Sequence, residues 1–101
     1  MRSVVSEQEM KVRNESASNK YVISVAGEDA GEAFYQVRDD VVVFTHTEVD
    51  DRWEGRGVGS TLVRGALDDV VSSHRRFTPR CPFVAAYVER HPEYAASRAD
   101  G

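Results

Sequence analysis

Hydrophobic and polar residues alternate along the first half of the chain, which is the pattern of half-buried β-strands. Every second residue is apolar in segments 21–25 and 33–37, and a turn-rich stretch, 27–31, separates them. Residues 11–14 predict an earlier strand, and residues 41–49 a later one whose two faces both begin apolar. The sequence therefore predicts four consecutive strands.

The period changes to that of a helix in the second half of the chain, where apolar residues recur every three or four positions. They form one stripe over about five turns: Val58, Leu62, Val63, Ala66, Leu67, Val70 and Val71. Gly65 inside this helix costs roughly 1 kcal/mol relative to Ala, so we expect it to pack closely against the sheet. Residues 77–81 predict a short strand, and Pro82 begins a second helix that ends at 91–92.

The predicted order is thus β-β-β-β-α-β-α in one α/β (α+β) domain. Asp39-Asp40 marks a tight turn between the third and fourth strands. A strand–helix–strand crossover returns parallel and right-handed, so the sheet is predicted to be mixed but mostly antiparallel. We expect residues 11–95 to form the domain, with flexible segments at 1–10 and 96–101.

Length and composition narrow the possible functions. The 101 residues carry a net charge of −4 and are 41% apolar, which allows one core and excludes an interdomain cleft. No apolar run approaches the ~20 residues of a membrane span, and the acidic balance argues against general nucleic-acid binding. The single cysteine, Cys81, lacks companions at zinc-site spacing. We expect a cytoplasmic monomer or weak dimer with no metal, no membrane contact and no nucleic-acid partner.

A glycine-rich turn between the fourth strand and the first helix carries the strongest functional signal. Residues 55–61 read Gly-Arg-Gly-Val-Gly-Ser-Thr. Glycines let a ligand approach the backbone, and the unpaired amides of a helix's first turn form an anion site. The segment lacks the Gly-Lys-Ser/Thr ending of a P-loop and the glycine spacing of a dinucleotide-binding fold. We therefore expect a phosphate-bearing ligand of another class.

This turn resembles the acetyl-CoA signature of the GCN5-related N-acetyltransferases, Gln/Arg-x-x-Gly-x-Gly/Ala, with Gly57 and Gly59 at the glycine positions. Segments 46–49, 79–84 and 87–94 further resemble the small, single-domain, YjdJ-type branch of that family. The resemblance covers nearly the whole chain. It implies a minimal version of the family fold, with a V-shaped splay between the strand before the turn and the strand after the helix.

The same resemblance implies that acetyl-CoA is the cosubstrate and that its pantetheine arm enters the splay. The implied binding residues are Val49, Asp50, Asp51, Gly55, Arg56, Gly57, Val58, Gly59, Ser60 and Thr61. Backbone groups of 49–51 would bond the arm and polarise the acetyl carbonyl. One position departs from the signature, because Glu54 stands where the family has Gln or Arg. Arg56 is the cation that replaces it.

Acetyl transfer to an amine needs a base for the amine proton and an acid for the departing thiolate. His46 and Glu48 lie two residues apart, so a regular strand projects them from the face of Val42 and Phe44, and either serves as base. The resemblance places Tyr87 at the position of the family's helical general acid. His74, His91 and Tyr94 are weaker candidates.

Cys81 admits two interpretations. It precedes a helix whose amino terminus stabilises a thiolate, so it fits a covalent acetyl-cysteine intermediate. It equally fits a small buried apolar residue. The predicted function is an acetyltransferase acting on an unidentified amine or protein acceptor, and the alternatives are a non-catalytic acyl-CoA-binding module and an interaction domain that retains only the fold.

Overall fold

The computed structural model describes residues 9–100. Within that range an antiparallel meander comprises β1 (Met10–Glu15), β2 (Lys20–Val25), β3 (Glu28–Arg38) and β4 (Val41–Val49). Helix α1 (Val58–Ser72), strand β5 (Arg76–Pro79) and helix α2 (Pro82–Arg90) follow. Short 3-10 helices lie at Ser16–Ser18, Asp51–Trp53 and Pro92–Ser97.

The strands form one sheet in the order β1-β2-β3-β4-β5, and β5 pairs with β4 in parallel. The predicted element order and the mixed, mostly antiparallel sheet are therefore confirmed. The parallel pair follows from the crossover through α1, as the right-handed connection rule requires. None of the helices formed by residues 9–100 is long and apolar enough to cross a membrane.

Helix α1 packs its apolar stripe on one face of the sheet. Its buried residues are Val58, Leu62, Val63, Ala66, Leu67 and Val70, whereas Val71 is 40% exposed and lies outside the core. The expected close packing of Gly65 is confirmed, because a Cβ at this position would lie 2.8 Å from the Cβ of Val12. Helix α2 adds Val84, Tyr87 and Val88 to the same core.

The hairpin turns are tighter than the sequence pattern indicates. The connection between β2 and β3 is Ala26-Gly27, with φ of 51° and 86°, so most of the stretch predicted as a turn, 28–31, belongs to β3. Asp39 and Asp40, with φ of 52° and 68°, form the predicted tight turn before β4. Both connections place two successive residues in the left-handed region, which matches the twist of paired strands.

A β-bulge at Thr45 reverses the facing of the second half of β4. Phe34 of β3 pairs with His46 and the next residue, Tyr35, pairs with Phe44, so Thr45 is an extra residue on β4. Phe44 shares the core face with Tyr35, whereas His46 stacks on Phe34 on the opposite face. The expectation that His46 and Glu48 continue the face of Phe44 is therefore wrong. Instead, Thr47, which pairs with the buried Ala33, faces the helices.

Strands β4 and β5 separate after four paired residues, which opens the predicted V. Pairing runs from Val41 with Arg76 to Phe44 with Pro79. The amides of Arg80 and Cys81 then both donate to the Phe44 carbonyl at 3.0 Å. The remainder of β4 continues to Val49 without β5 beside it.

The end of the described chain is tied to β5. Arg98 forms a parallel bridge with Phe77, and the Ala99 amide donates to the Phe77 carbonyl at 2.7 Å. Tyr94 is buried in the core. These contacts differ from the loose tail expected at 96–101, because β5 offers an unpaired edge that the chain end covers. Most of the segment predicted as flexible at the amino terminus lies outside the described residues, and Met10 begins β1.

Candidate active site

A cavity of about 490 Å³ lies at the open end of the V. It is bounded by the last part of β4, the glycine turn and the beginning of α2. Its lining residues are Thr47, Val49, Trp53, Glu54, Gly55, Gly57, Val58, Gly59, Ser60 and Phe83. Six of the ten predicted cosubstrate-binding residues are in that set: Val49, Gly55, Gly57, Val58, Gly59 and Ser60.

The amino terminus of α1 presents backbone amides to this cavity. Gly57 is the N-cap with φ of 77°, and the first helical hydrogen bond runs from the Thr61 amide to the Gly57 carbonyl at 3.0 Å. The amides of residues 58–60 precede that bond and have no partner within the helix. With the positive end of the helix dipole, they form a site suited to an anion.

Gly59 allows α2 to approach α1 closely. A Cβ at this position would lie 2.6 Å from Cζ of Phe83, so any larger residue would displace the ring. Phe83 lines the cavity and is 43% exposed. The second glycine of the signature therefore sets the position of an aromatic wall.

Two cations flank the single tryptophan at the cavity. The guanidinium carbons of Arg52 and Arg56 each lie 5.6 Å from the Trp53 ring centroid. Arg52 also bonds Glu28 at 3.0 Å, whereas among residues 9–100 Arg56 forms no ion pair. Trp53 was not a sequence candidate, although a lone tryptophan two residues before the glycine turn is a signal that could have found it.

Asp50 and Asp51 do not line this cavity. The Asp50 amide donates to the Ala30 carbonyl at 2.8 Å, and its carboxylate accepts from the Arg52 amide at 3.0 Å, which caps the short 3-10 helix. These groups hold the turn rather than leaving donors free for a ligand. Asp50 instead lines a second cavity of about 280 Å³, whose carboxylates also include those of Glu32 and Glu48.

Cys81 lies where β4 and β5 part. Its side chain is buried, and its Sγ lies 3.3 Å from Oγ1 of Thr47, which lines the main cavity. The residue is also the N-cap of α2. The thiol therefore contacts a residue of the cavity lining, Thr47, on the side where β4 and β5 separate.

His46 and Glu48 lie on the other face of the same strand. His46 Nε2 is 2.8 Å from Oε2 of Glu48, and the two side chains are 60% and 64% exposed. Because of the bulge at Thr45, they project away from the main cavity while Thr47 projects toward it. The end of β4 therefore separates the predicted bases from the glycine turn.

Tyr87 lies in a third cavity, of about 430 Å³, together with Arg64, Asp68, His91, Glu93 and Tyr94. Its ring stacks on His91 at 4.0 Å between centroids, and burial raises the pKa of its phenol. The structure does not bring Tyr87 together with Thr47 and Cys81 at the main cavity. Tyr94 donates to Asp68 at 2.6 Å, and His74 ends the turn after α1 with φ of 60°.

Metal binding has no evident ligand set in this part of the chain. Among residues 9–100, no three His, Cys, Asp or Glu side chains are grouped closely enough to hold an ion. The donors at the main cavity are backbone amides and hydroxyl groups, which suit phosphate and carbonyl oxygens.

Comparison with known proteins defines the class to which this fold and cavity belong. The family model described as GCN5-related N-acetyl-transferase matches residues 20–97. This chain therefore belongs to the GCN5-related N-acetyltransferase family.

Among curated proteins, the chain is similar to Protein NATD1 of Homo sapiens and of Gallus gallus, at 36% identity over 52 residues in each case. The match covers 52% of this chain and 46% and 47% of those two proteins, so the chain spans about half the length of the curated relatives it matches.

Two solved structures share the fold. An NMR structure of a GCN5-like protein from Staphylococcus aureus has a TM-score of 0.65 at 24% identity and covers 93% of this chain and 90% of its own. The crystal structure of the ribosomal-protein-S18-alanine N-acetyltransferase from Escherichia coli has a TM-score of 0.56 at 19% identity, covering 80% and 54%. At these identities the likeness establishes the fold.

Proposed function

We propose that this protein transfers the acetyl group of acetyl-CoA to an amine. The observation that carries the proposal is the cavity at the open V, where the amides of 58–60 face the same space as Thr47 of the unpaired part of β4. The pyrophosphate of CoA would bind those amides, because phosphate oxygens accept several N–H donors at a helix amino terminus. The thioester arm would then extend along β4 toward Thr47.

The amine would approach from the opposite face of β4, where His46 and Glu48 lie, and would reach the thioester through the gap beside β4 after Phe44, where β5 no longer pairs with it. If His46 Nε2–H donates to Glu48 Oε2, Nδ1 is the nitrogen that accepts a proton. His46 first takes a proton from the ammonium group of the acceptor. The neutral nitrogen then bonds to the acetyl carbon, the carbon–sulfur bond breaks, and the second proton that the nitrogen loses goes to the departing CoA thiolate. Glu48 acts as a positioning residue that fixes the imidazole tautomer.

An acidic surface next to His46 supports a cationic acceptor. The cavity of about 280 Å³ is lined by Asp29, Glu32, Glu48 and Asp50. Arg13, Lys20 and Arg52 pair with Asp29, Glu32 and Asp50, respectively. Glu48 and the net charge of −4 are therefore what favours a polyamine or a lysine side chain over an uncharged amine. KM for a cationic amine should rise with ionic strength, whereas KM for an uncharged aromatic amine should not.

Two measurements test the proposal. Calorimetric titration with acetyl-CoA should give saturable binding, and its absence at millimolar ligand would contradict a CoA-dependent function. A thiol-release assay over a panel of amines should then show turnover. His46→Ala should reduce kcat about 100-fold or more with little change in acetyl-CoA affinity. His74→Asn, a histidine loss at the exposed turn after α1 with a residue that tolerates its positive φ, should leave both unchanged.

A covalent route through Cys81 is the second candidate, and the contact of its thiol with Thr47 favours it. In this route Sγ attacks the thioester carbon, the carbon–sulfur bond to CoA breaks, and the thiol proton goes to the departing CoA sulfur. The amine nitrogen then attacks the acetyl carbon, Sγ leaves, and the amine proton returns to it. Intact mass after acetyl-CoA alone should show an added acetyl group of about 42 daltons if this occurs. If no adduct forms on the time scale of turnover and Cys81→Ser retains activity, the covalent route is excluded and the amine attacks acetyl-CoA directly.

A non-catalytic acyl-CoA-binding module is the third candidate. Its support is Glu54, a carboxylate that lines the cavity where the family signature has Gln or Arg. Saturable acetyl-CoA binding with no thiol release for any amine would favour the binding module. Glu54→Gln should tighten acetyl-CoA binding several-fold in either case, because it removes a negative charge next to the pyrophosphate site.

A further inference from the structure

The indole nitrogen of Trp53 is a buried donor without a partner. Among the described residues it is the only buried side-chain nitrogen or oxygen that makes no hydrogen bond in the protein. More than nine-tenths of buried polar groups in native structures are paired, so an exception requires an explanation. Unfilled ligand sites are one recurrent explanation.

Neither of the two side chains that flank the Trp53 ring can satisfy this donor. Arg52 and Arg56, which flank the ring at 5.6 Å, have side chains with N–H donors and no acceptor. The backbone amide of Trp53 already donates to the Asp50 carbonyl at 2.8 Å, so the indole N–H is the donor of this residue that lacks a partner. The side chain meanwhile forms part of the wall of the main cavity.

We propose that the Trp53 indole N–H is a binding donor for CoA, which pairs with an oxygen of the bound molecule. This inference rests on the proposed function and adds a residue that the family signature does not contain. CoA carries hydrogen-bond acceptors of two kinds, the amide carbonyls of pantetheine and the phosphate oxygens. Because the nitrogen is covered in the free protein, the bond forms when ligand entry shifts the indole or the turn that carries it.

The proposal predicts opposite effects of one substitution on stability and on binding. Trp53→Phe keeps an aromatic ring beside the two arginines and removes the unpaired N–H. The melting temperature of the free protein should stay the same or rise, since a buried unpaired donor is lost, while the Kd for acetyl-CoA rises about tenfold. A purely structural tryptophan would show the reverse, a lower melting temperature with unchanged affinity.

Tyr35→Phe is the matched control. It also removes one aromatic donor, the hydroxyl that bonds Asn14 at 2.7 Å, but at a site outside the cavity. This variant should lose stability and keep its acetyl-CoA affinity. A tenfold loss of affinity in Tyr35→Phe as well would show that the effect is not specific to Trp53 and would overturn the inference.

Direct observation of the donor is possible because the chain has one tryptophan. A nitrogen-15 spectrum therefore contains a single indole resonance, whose proton should move downfield as acetyl-CoA saturates the site. Separate titrations with pantetheine and with adenosine 3′,5′-bisphosphate identify the half of CoA that holds the acceptor, and a shift with either supports the proposal.

Calorimetry on the same samples distinguishes failure of the Trp53 inference from failure of the proposed function. Saturable acetyl-CoA binding with an unmoved indole resonance, and wild-type affinity in Trp53→Phe, would overturn the inference and leave the proposed function intact. Absence of any saturable binding would overturn both.

Discussion

The two signature glycines have different physical requirements. Gly57 lies in the left-handed region, with φ of 77°, and a Cβ there would meet no protein atom within 4 Å. Gly59 has the opposite constraint, because a Cβ would collide with the ring of Phe83. The space beside Gly57 is therefore open for a ligand, whereas the space beside Gly59 is already filled by the protein.

Gly57→Ala should weaken acetyl-CoA binding at least tenfold, because the added methyl group projects where the pyrophosphate approaches the amides. Left-handed backbone at Ala also costs about 1–2 kcal/mol of folding free energy. Gly27→Ala is the matched control, with φ of 86° and equally open surroundings in the β2–β3 turn. Both variants should lose similar stability in urea unfolding. Equal acetyl-CoA affinity in the two would show that the phosphates bind elsewhere.

At the scale of elements, the contact of α1 with β1 depends on Gly65. Glycine fits this helix position in spite of its poor helix propensity, because Val12 occupies the space that a side chain of residue 65 would need. Gly65→Ala should therefore lower the free energy of unfolding by about 1–2 kcal/mol, as overpacking outweighs the gain in propensity.

The same change should have the opposite sign in a Val12→Gly background. Without the Cβ and methyl groups of residue 12, the new Cβ has room, and Ala at position 65 should stabilise the helix by up to about 1 kcal/mol. Denaturant unfolding of the four proteins in this cycle measures the coupling directly. Additive effects would mean that α1 and β1 are not in steric contact here.

The elements themselves could be predicted from the sequence, because two- and 3.6-residue periods persist over long segments. The side of β4 from which His46 and Glu48 project could not be predicted in this way. Alternation assigns faces by counting residues, and the bulge at Thr45 adds one residue without any change in side-chain type. The role of Tyr87 stays a prediction for a related reason, since the family resemblance that implies it does not specify helix rotation, and the structure places this side chain in the third cavity.

The main cavity was largely predictable because it is built from backbone. Glycine spacing and the strand-to-helix change are local features, and six of the ten residues predicted from them and from the resemblance to bind the cosubstrate line this cavity. Trp53 and Thr47 needed three-dimensional information, since one is notable for an unpaired nitrogen and the other for a contact with Cys81 that spans 34 residues. Hydrogen-bonding and contact partners of this kind do not change the hydrophobic periodicity of a sequence, so they cannot be predicted from it.

At the scale of the whole molecule, α1 is tied to the rest of the fold by two phenol–carboxylate bonds. Tyr21 of β2 donates to Asp69 at 2.7 Å, and Tyr94 near the end of the chain donates to Asp68 at 2.6 Å. Burial is the main cause that raises the pKa of each phenol, and the hydrogen bond to a carboxylate raises it further. One bond therefore connects α1 to the sheet, and the other connects it to the segment that follows α2.

These bonds predict a loss of stability in alkaline solution. Each phenol has a pKa near 10 in the unfolded chain and a higher pKa in the folded protein. The unfolded state therefore binds fewer protons above about pH 10, so the free energy of unfolding falls as pH rises through that window. Below it, both phenols are protonated in both states and contribute no pH dependence.

Urea unfolding between pH 8 and pH 11 measures this slope. Tyr21→Phe and Tyr94→Phe should each flatten it, because the variant has one fewer group whose pKa differs between the two states, and the double variant should flatten it most. Tyr87→Phe should have a smaller effect, since its phenol is buried without a hydrogen bond to a carboxylate. An unchanged slope in the double variant would mean that other groups govern alkaline unfolding and that the two bonds do not tie α1 to the fold.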